Sequence, residues 1–413
     1  MNPLEHLDQR RGALARDLRK MVRMATVNPP GEDYRPMVEH LRDRLGALGM
    51  GPVVHRVPDA EVEAAGADSD YPRYNLVARW DTGADETIHF NAHYDVVPVA
   101  AADWSAAPPF EGVSRGGWLY GRGAGDMKGS IAALLGALRS LRHTRVDPAV
   151  NVEVSFTADE ETGGALGAGW IVKRGLVDAD YAVECEGASG SRVGLGHNGV
   201  LWLEVEVAGR SAHASSPERG VNAFEKMAAM VHDLRSIKRR LGNPSRGWEG
   251  PDGRSRQPTI NVGGVVRGGP DQKVNTVPGK AAFTIDRRLV PGERLADSEA
   301  ELVEALARAA ARAEARHRVR PLLRIEPCLV GGDGILPRSF ARSVRAVRRH
   351  AVEFRVTTGF TDLHYFVDAG MPGIGYGVNG ERAHGADERV SLRDLAQTAR
   401  TYADFLVRGL TRD

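Results

Sequence analysis

Residues 87–95 read TIHFNAHYD and residues 150–161 read VNVEVSFTADEE, so two apolar runs each end in side chains that can bind a metal. Both runs have the length and the β-branched and aromatic content of strands. The first ends in His93 and Asp95, and the second ends in the acidic residues 159–161. In sheets covered by helices, ligands bind where the strands end. We therefore expect these polar residues to meet at one edge of a sheet.

Predicted strands and helices alternate through the first part of the chain. The predicted strands cover residues 75–80, 87–92 and 150–157, and a predicted helix rich in alanine and leucine covers residues 127–141. Ahead of them, apolar residues at helical spacing predict a single amphipathic helix between Leu4 and Val22. Such alternation is typical of an α/β fold. We therefore expect a catalytic domain built on a mixed sheet flanked by helices.

The pattern changes near residue 196. Across residues 201–207, apolar residues alternate with tryptophan and glutamate, which predicts a strand with one solvated face. A predicted helix from residue 222, strands at 259–265 and 281–289, a helix at 294–316 and a strand at 322–325 follow. This order is that of a small α+β unit, βαββαβ. We therefore predict a domain at residues 196–327 inserted into a discontinuous catalytic domain made of residues 1–195 and 328–413.

Composition limits the classes of function. The chain has 413 residues, with 55 lysines and arginines against 54 aspartates and glutamates and a formal net charge of +1. This balance predicts no surface for nucleic acid or anionic lipid, and no apolar run is long enough to span a membrane. Two cysteines cannot form a disulfide framework, and the N-terminus lacks the profile of a secretion signal. We expect a cytoplasmic protein that acts on a small molecule or a peptide.

The polar residues after the two strands have the chemistry of metal ligands. Imidazole and carboxylate groups both suit a catalytic zinc that also keeps a water molecule. Asp95 lies two residues after His93, so on extended backbone the two side chains point the same way and the carboxylate can orient the imidazole. Glu160 and Glu161 are adjacent, so their side chains diverge. One of them can bind metal while the other transfers protons.

A glycine-rich run, GRGAGDMKG at residues 121–129, leads into the predicted helix. Glycines let the backbone turn tightly there, and Asp126 could bridge two metal ions about 3.5–4 Å apart through its two oxygens. The run lacks the third glycine of a dinucleotide fingerprint and the ending of a phosphate loop, so nucleotide binding is not expected. Taken alone, His93 would be a packed histidine and residues 159–161 a solvated turn. Their joint order favours a metal site.

Together these motifs resemble those of the peptidase M20 family of two-zinc amidohydrolases, and the resemblance spans nearly the whole chain. The matching motifs are HYDVVP at 93–98, Trp104, Pro109–Phe110, YGRG at 120–123, DMKG at 126–129, DEE at 159–161, Asp180–Tyr181 with Glu186, and AHG at 383–385 with Glu388. Several short motifs in the right order form a specific signal. The resemblance implies a metal-dependent amidohydrolase with a zinc-exopeptidase-like catalytic domain.

The resemblance also implies the ligands of two divalent metal ions. One zinc would be bound by His93, Asp126 and Glu186, and the other by Asp126, Glu161 and His384. Asp95 would orient His93, and Glu160 would be the general base that takes a proton from the attacking water and passes it to the departing nitrogen. Glu184 is a rival of Glu186, and the motif spacing selects Glu186. Zinc is the expected metal, although cobalt or manganese would fit similar ligands.

The inserted domain resembles the family's lid and dimerisation domain, which implies a homodimer. His213 matches the histidine that, in dimeric relatives, enters the partner's active site and stabilises the oxyanion. Arg288, with Arg287 as its rival, matches the arginine that binds the substrate carboxylate, and Asn275 matches a substrate-contacting asparagine. A guanidinium can bind a carboxylate through two parallel hydrogen bonds. A solvated loop for His213 and a solvated strand face for the arginines are the alternatives.

The substrate class follows from smaller features. Glutamate rather than aspartate at position 186 resembles the deacylases and carboxypeptidases of the family more than its aminopeptidases. Gly187 and Gly385 stand where many relatives have proline and threonine, so no subfamily is assigned. We expect a deacylase of N-acyl amino acids or related small metabolites, similar to acetylornithine and succinyl-diaminopimelate deacylases. A carboxypeptidase or dipeptidase is the alternative enzyme, and a catalytically silent binding protein is the alternative outside enzymes.

Overall fold

The computed structural model describes residues 1–270 and 272–411. Its α-helices are α1 (Pro3–Gln9), α2 (Arg11–Val22), α3 (Tyr34–Gly46), α4 (Asp59–Ala64), α5 (Lys128–Thr144), α6 (Ala168–Lys173), α7 (Ala223–Asp233), α8 (Arg235–Leu241), α9 (Leu295–Arg312), α10 (Ile335–Arg348), α11 (Leu363–Asp368) and α12 (Leu392–Arg408). Within this described part of the chain, no helix combines the length and the apolar character needed to cross a membrane.

The strands are shorter and more numerous than the helices. They are β1 (Val53–Arg56), β2 (Tyr74–Trp80), β3 (Thr87–His93), β4 (Val113–Arg115), β5 (Trp118–Tyr120), β6 (Asn151–Thr157), β7 (Tyr181–Ser189), β8 (Arg192–His197), β9 (Gly199–Ala208), β10 (Ala212–His213), β11 (Trp248–Glu249), β12 (Ser255–Arg256), β13 (Thr259–Gly268), β14 (Thr276–Val277), β15 (Lys280–Leu289), β16 (Arg316–Ile325), β17 (Cys328–Leu329), β18 (Glu353–Thr357), β19 (Gly373–Gly377), β20 (Gly380–Glu381) and β21 (Arg389–Ser391).

The described residues divide into two compact units. Unit 1 consists of Met1–Gly196, Val330–Thr357 and Thr361–Asp413, and unit 2 consists of His197–Leu329 and Thr358–Phe360. Each unit has its own apolar core. Unit 2 therefore consists of one long continuous segment and three further residues from later in the chain.

The central sheet of unit 1 confirms the predicted mixed sheet flanked by helices. Its strands lie in the order β1-β2-β6-β3-β7-β19-β8. The pairs β6–β3, β3–β7 and β7–β19 are parallel, whereas β1–β2, β2–β6 and β19–β8 are antiparallel. Every residue of β3 and of β6 is buried, as expected for parallel strands covered on both faces. The carboxyl ends of the four parallel strands therefore share one edge of the sheet.

The single helix predicted between Leu4 and Val22 is wrong, because α1 and α2 are separate. Arg10 leaves the helical conformation with φ −113° and ψ 16°, which ends α1. The apolar spacing runs through both helices because both bury the same side against α5. At Gly136 of α5, an added Cβ would lie 2.2 Å from Leu14 Cδ2 and 3.8 Å from Leu7 Cδ2.

Unit 2 has the predicted βαββαβ order. Its four-stranded sheet is antiparallel throughout, in the order β13-β15-β9-β16. Helices α7 and α9 pack against this sheet and against each other. The last strand differs from the prediction, since β16 begins at Arg316 and not at Leu322, and α9 ends at Arg312. The arginines of β16 look helical in composition, but all of them are exposed and the residues that alternate with them are half-buried, as on a strand with one solvated face.

Candidate metal centre

The sequence motifs of unit 1 meet at the carboxyl edge of its sheet. His93 is the last residue of β3, residues 160–162 form a short 3₁₀ turn directly after β6, and Glu186 lies in β7. These three strands are neighbours, with β3 between β6 and β7. The loop between β20 and β21 brings His384 to the same place. Because β3 and β6 are buried on both faces, their ends are held in place. His93 at the end of β3 and the turn at residues 160–162 after β6 therefore have fixed positions.

Asp126 contacts two histidines with its two oxygens. Its Oδ1 lies 3.2 Å from His93 Nε2, and its Oδ2 lies 3.1 Å from His384 Nε2. Glu161 Oε2 lies 3.0 Å from the same nitrogen of His384. One carboxylate therefore spans two separate sets of donors, which is the arrangement required of a ligand that bridges two metal ions.

A second group of donors contains the other two carboxylates. Glu160 Oε2 and Glu186 Oε2 lie 3.8 and 3.9 Å from His93 Nε2. One donor atom from each of these three residues lies within 4.8 Å of the others, and the same holds for His93, Asp126 and Glu161. Both groups share His93, so they are two halves of one cluster.

Several donor atoms of the cluster lack hydrogen bonds. Among residues 1–270 and 272–411, no hydrogen-bond partner is present for His93 Nε2, Glu161 Oε1 or Glu186 Oε1, and all three atoms are buried. Buried polar atoms are normally satisfied, and coordination to cations would satisfy these three. Imidazole together with carboxylates suits zinc, cobalt or manganese. The residues therefore fit divalent metal ions.

The charges of the cluster also favour a cation. Burial, reinforced by the charge of Asp126, raises the pKa of Glu161 to about 7. Burial likewise raises the pKa of Glu160 far above its usual range, and the charge of Glu186 adds to this effect. Contacts with Asp126 and Glu161 raise the pKa of His384 to about 10, so a protonated imidazole partly offsets the negative charge. Divalent ions would offset it more completely.

The glycine-rich run is clamped from one side by Glu388. The Glu388 carboxylate accepts hydrogen bonds from three backbone amides, those of Gly123 at 3.0 Å, Gly125 at 2.8 Å and Asp126 at 3.1 Å. Arg122 Nη1 donates to the same carboxylate at 2.6 Å. A Cβ at Gly125 would lie 2.7 Å from the Cα of Gly380, so only glycine fits this approach. The run thus holds the backbone of Asp126 rigidly.

Asp95 lies behind the imidazole of His93, as its position in the sequence predicts. Its carboxylate Oδ1 lies 3.4 Å from His93 Nδ1, and its backbone carbonyl lies 3.1 Å from the same nitrogen. Both oxygens can accept the Nδ1 proton, so Nε2 would be available as a ligand when a metal ion is bound.

The two candidate glutamates of β7 face different surroundings. Glu184 is fully buried, and its Oε2 accepts a hydrogen bond of 2.9 Å from Asn91 Nδ2 on the neighbouring strand β3. Glu186, two residues further along β7, reaches the donor cluster beside His93. Of the two, Glu186 is the one whose carboxylate joins the cluster.

In unit 2, His213 and Asn275 lie on adjoining segments. His213 in β10 is paired with Thr276 in β14, and the amide of Ala214 donates to the carbonyl of Asn275 at 2.9 Å. Both residues are exposed. His213 Nδ1 lies 2.7 Å from Ser215 Oγ. Among the described residues, the hydrogen bonds of the His213 side chain are with Ser215 of the same loop.

The two neighbouring arginines of β15 point to opposite faces of the sheet. Arg287 is buried and pairs with Glu293 at 2.6 Å. Arg288 is on the other face, where its Nε and Nη2 donate to the two oxygens of Asp286 at 2.8 and 3.0 Å. Its guanidinium also lies 5.9 Å from the ring centroid of Trp202. Arg288 is therefore the accessible arginine of the pair, with an internal carboxylate as its partner.

Sequence reasoning did not identify Asp362, which immediately precedes α11. Asp362 is fully buried, and burial raises its pKa to about 7. Its charge in turn raises the pKa of Glu160 and of Glu186, so it belongs to the electrostatic surroundings of the cluster. An aspartate before a short helix is common at helix starts, and nothing in the local sequence distinguishes this one.

The chain is similar to known proteins over most of its length. Residues 89–408 match the family model described as peptidase family M20/M25/M40. Over 404 residues, the chain is 30% identical to a succinyl-diaminopimelate desuccinylase from Paracoccus denitrificans (strain Pd 1222), covering 94% of this chain and 96% of that protein.

Solved structures show the same fold at lower identity. An M20 family metallo-carboxypeptidase from Sulfolobus solfataricus superposes with a TM-score of 0.76 at 20% identity, covering 95% of this chain and 98% of that one. The Bacillus subtilis YXEP protein, described as a dinuclear metal binding peptidase from the M20 family, superposes with a TM-score of 0.61 at 14% identity, covering 96% and 98%. The chain therefore belongs to peptidase family M20/M25/M40 and is a metallohydrolase.

Proposed function

We propose that this protein is a deacylase that hydrolyses the amide bond of N-acyl amino acids or related small metabolites with two divalent metal ions. The observation that carries the proposal is the placement of Asp126, whose two oxygens contact His93 and His384 separately. The similarity to a succinyl-diaminopimelate desuccinylase over nearly the whole chain supports the deacylase class. The substrate would then be a small N-acylated amino acid.

We propose two metal positions with the ligand sets that the resemblance to the M20 family implies, and the contacts of Asp126 with His93 and His384 support them. In this proposal, one ion is held by His93, Asp126 and Glu186 and the other by Asp126, Glu161 and His384. Ions bound there would act as Lewis acids on the amide carbonyl and would make an attacking water more acidic. We propose zinc, with cobalt or manganese compatible with the same donors. The dinuclear metal binding of the YXEP protein supports the number of ions.

Glu160 is the proposed general base. Its carboxylate is buried beside His93, whereas the neighbouring Glu161 is already engaged with His384. Glu160 would take a proton at Oε2 from the attacking water as the new C–O bond forms. It would then deliver that proton to the amide nitrogen as the C–N bond breaks. Asp95 would keep the imidazole of His93 in the orientation that this chemistry needs.

The residues of unit 2 are proposed to recognise the substrate. Arg288 would exchange Asp286 for the carboxylate of the substrate, since a guanidinium fits either carboxylate through two hydrogen bonds. Asn275 would contact the substrate as well. In a homodimer formed through unit 2, the exposed His213 would stabilise the oxyanion in the partner's active site. Unit 1 is accordingly the proposed catalytic domain, and unit 2 the lid and dimerisation domain.

A carboxypeptidase or dipeptidase is the second candidate. The structural similarity to a metallo-carboxypeptidase supports this second candidate. Hydrolysis of a peptide bond and hydrolysis of an N-acyl bond would use the same metal ligands. The two candidates differ in what lies on the far side of the scissile amide, an acyl group or an amino acid residue. We propose the cytoplasm as the place of action for either activity.

A substrate panel tests the proposal. Metal-free protein would be assayed against N-acetyl and N-succinyl amino acids and against dipeptides, before and after addition of zinc or cobalt. We expect metal-dependent hydrolysis of N-acyl amino acids that exceeds hydrolysis of dipeptides. The reverse preference would favour a peptidase, and two bound metals without hydrolysis of any amide would favour a binding role.

A further inference from the structure

A buried asparagine lies between two carboxylates behind the metal cluster. Asn28 is 1% exposed, and its Nδ2 lies 3.0 Å from Asp95 Oδ2 and 3.2 Å from Asp159 Oδ1. Thr162 Oγ1 is also within 3.2 Å of this nitrogen. The backbone of Asn28 is fixed as well, because its N–H donates to the carbonyl of Val96 at 2.9 Å. The amide carries two N–H donors, enough for one to each carboxylate.

The first of these carboxylates connects the two halves of the donor cluster. Asp95 Oδ1 accepts a hydrogen bond from the amide of Glu160, and its Oδ2 accepts one from the amide of Glu161, both at 3.2 Å. The same carboxylate lies 3.4 Å from the imidazole of His93. The position of Asp95 therefore sets the distance between the imidazole and the turn that carries the two glutamates.

The second carboxylate fixes the start of that turn. Asp159 has a φ of 63°, a left-handed conformation that residues other than glycine adopt only when their surroundings enforce it. Arg73 Nε donates to its Oδ2 and Tyr34 Oη donates to its Oδ1, both at 2.9 Å. The side chains of Arg73 and Asp159 are only 3% and 4% exposed. Asp159 is thus held by Arg73 at Oδ2 and by both Tyr34 and Asn28 at Oδ1.

We propose that Asn28 is a positioning residue of the metal centre, whose neutral amide ties Asp95 to Asp159 and so fixes residues 160–161 relative to His93. Two ionised carboxylates on either side of one amide repel each other, and the N–H donors of that amide offset part of this repulsion. An aspartate at position 28 would have the same shape but would supply no hydrogen-bond donor. An alanine there would deprive Asp95 and Asp159 of one hydrogen bond each. This inference rests on the metal centre of the proposed function but not on its substrate.

The test compares Asn28→Ala with a matched buried asparagine of the same unit. Asn151 is 7% exposed, its Oδ1 accepts from the amide of Thr82 at 2.9 Å, and its Nδ2 donates to the carbonyl of Ala84 at 2.8 Å. It lies at the start of β6, at the end of the strand opposite the metal cluster. Asn151→Ala therefore removes a similar set of buried hydrogen bonds away from the cluster.

Two quantities would be measured for each variant, the Tm of the metal-free protein and the Kd for zinc by competition with a chelator. We expect both variants to lower the metal-free Tm, whereas only Asn28→Ala raises the Kd for zinc, by about 10–100-fold. Wild-type zinc affinity in Asn28→Ala, or an equal loss in Asn151→Ala, would overturn the proposal.

A milder variant keeps the test decisive if Asn28→Ala does not fold. Tyr34→Phe removes one donor from Asp159 and leaves the side chain otherwise unchanged in shape. It should raise the Kd for zinc measurably but by less than about 10-fold, and a Kd equal to that of the wild type would overturn the proposed network. Because no substrate is needed, a failed search for substrates leaves this result interpretable. A wild-type protein that binds no zinc would instead contradict the proposed function itself.

Discussion

The donor cluster of unit 1 and the proposed recognition residues of unit 2 differ in how firmly the chain holds them. His93 is fully buried, and its imidazole is approached by carboxylates on both sides. His213 and Asn275 are exposed, and their described contacts lie within the two adjoining segments that carry them. The proposed groups of the chemical step are thus organised by buried contacts within unit 1, as preorganised catalysis requires. The proposed recognition residues of unit 2 lack such buried contacts among the described residues.

Arg288 lies between these extremes. Its side chain is 27% exposed, yet it is already paired through two hydrogen bonds with Asp286. The pairing holds the guanidinium in an orientation suited to a carboxylate. Substitutions in the two regions should therefore affect different quantities, turnover or metal content in unit 1 and substrate affinity in unit 2.

The largest expected effect is that of Glu160→Gln. The substitution keeps the shape of the side chain and removes the proton acceptor, so kcat should fall about 10²–10⁴-fold while zinc content stays at the wild-type level. Steady-state kinetics together with metal analysis would check this. Turnover close to that of the wild type would remove Glu160 from the mechanism.

His384→Ala should act on metal content. Its imidazole contacts both Asp126 and Glu161, so its loss should leave one metal position weakly bound and reduce the bound zinc by one equivalent. Mass spectrometric metal analysis after dialysis would measure the number of zinc ions bound per chain. His350→Ala, at an exposed histidine of the same unit, is the control and should keep the full complement. Unchanged zinc content in His384→Ala would contradict the assignment.

Arg288→Ala should weaken substrate binding and leave metal content unchanged. Loss of hydrogen bonds to a charged group costs about 1.5–3 kcal/mol, which corresponds to a decrease in kcat/KM of about 10–160-fold at 1.36 kcal/mol per factor of ten. The loss should fall mainly on KM. Arg316→Ala, at an exposed arginine of the same sheet, serves as the control. Equal kinetics in both variants would exclude Arg288 from substrate recognition.

Asp286→Asn should have the smallest effect, in the opposite direction. The substitution removes the internal carboxylate with which a substrate carboxylate would compete for Arg288. Partly exposed ion pairs contribute about 0.2–1 kcal/mol, so KM should decrease about 1.5–5-fold. Michaelis–Menten measurements on the best substrate of the panel would detect this. A higher KM would mean that Asp286 assists Arg288 and does not compete with the substrate.

The same contrast explains what could be predicted from the sequence. The mixed sheet of unit 1 was predictable because buried strands such as β3 and β6 have apolar runs of strand length. Part of the cluster was predictable because His93 ends β3 and Glu160 and Glu161 follow β6 within a few residues. Asp126, Glu186 and His384 were assigned from the resemblance to the M20 family. Short-range patterns of this kind are visible in a single sequence.

Features that depend on distant contacts could not be predicted. The break at Arg10 between α1 and α2 leaves no mark on the apolar spacing, since both helices pack against α5. Asn28 and Asp362 are far from the motifs in sequence and look like ordinary loop residues. Their importance follows only from tertiary packing, which brings Asn28 to Asp95 across 67 positions of the chain.

The most direct test of the central claim is a metal titration of hydrolysis. Metal-free protein would receive zinc in increments while hydrolysis of the best N-acyl amino acid is followed. The account predicts no hydrolysis without metal and a rate that reaches its maximum at two equivalents per chain. Full activity in the metal-free protein, or a maximum at one equivalent, would contradict a two-metal centre built around Asp126.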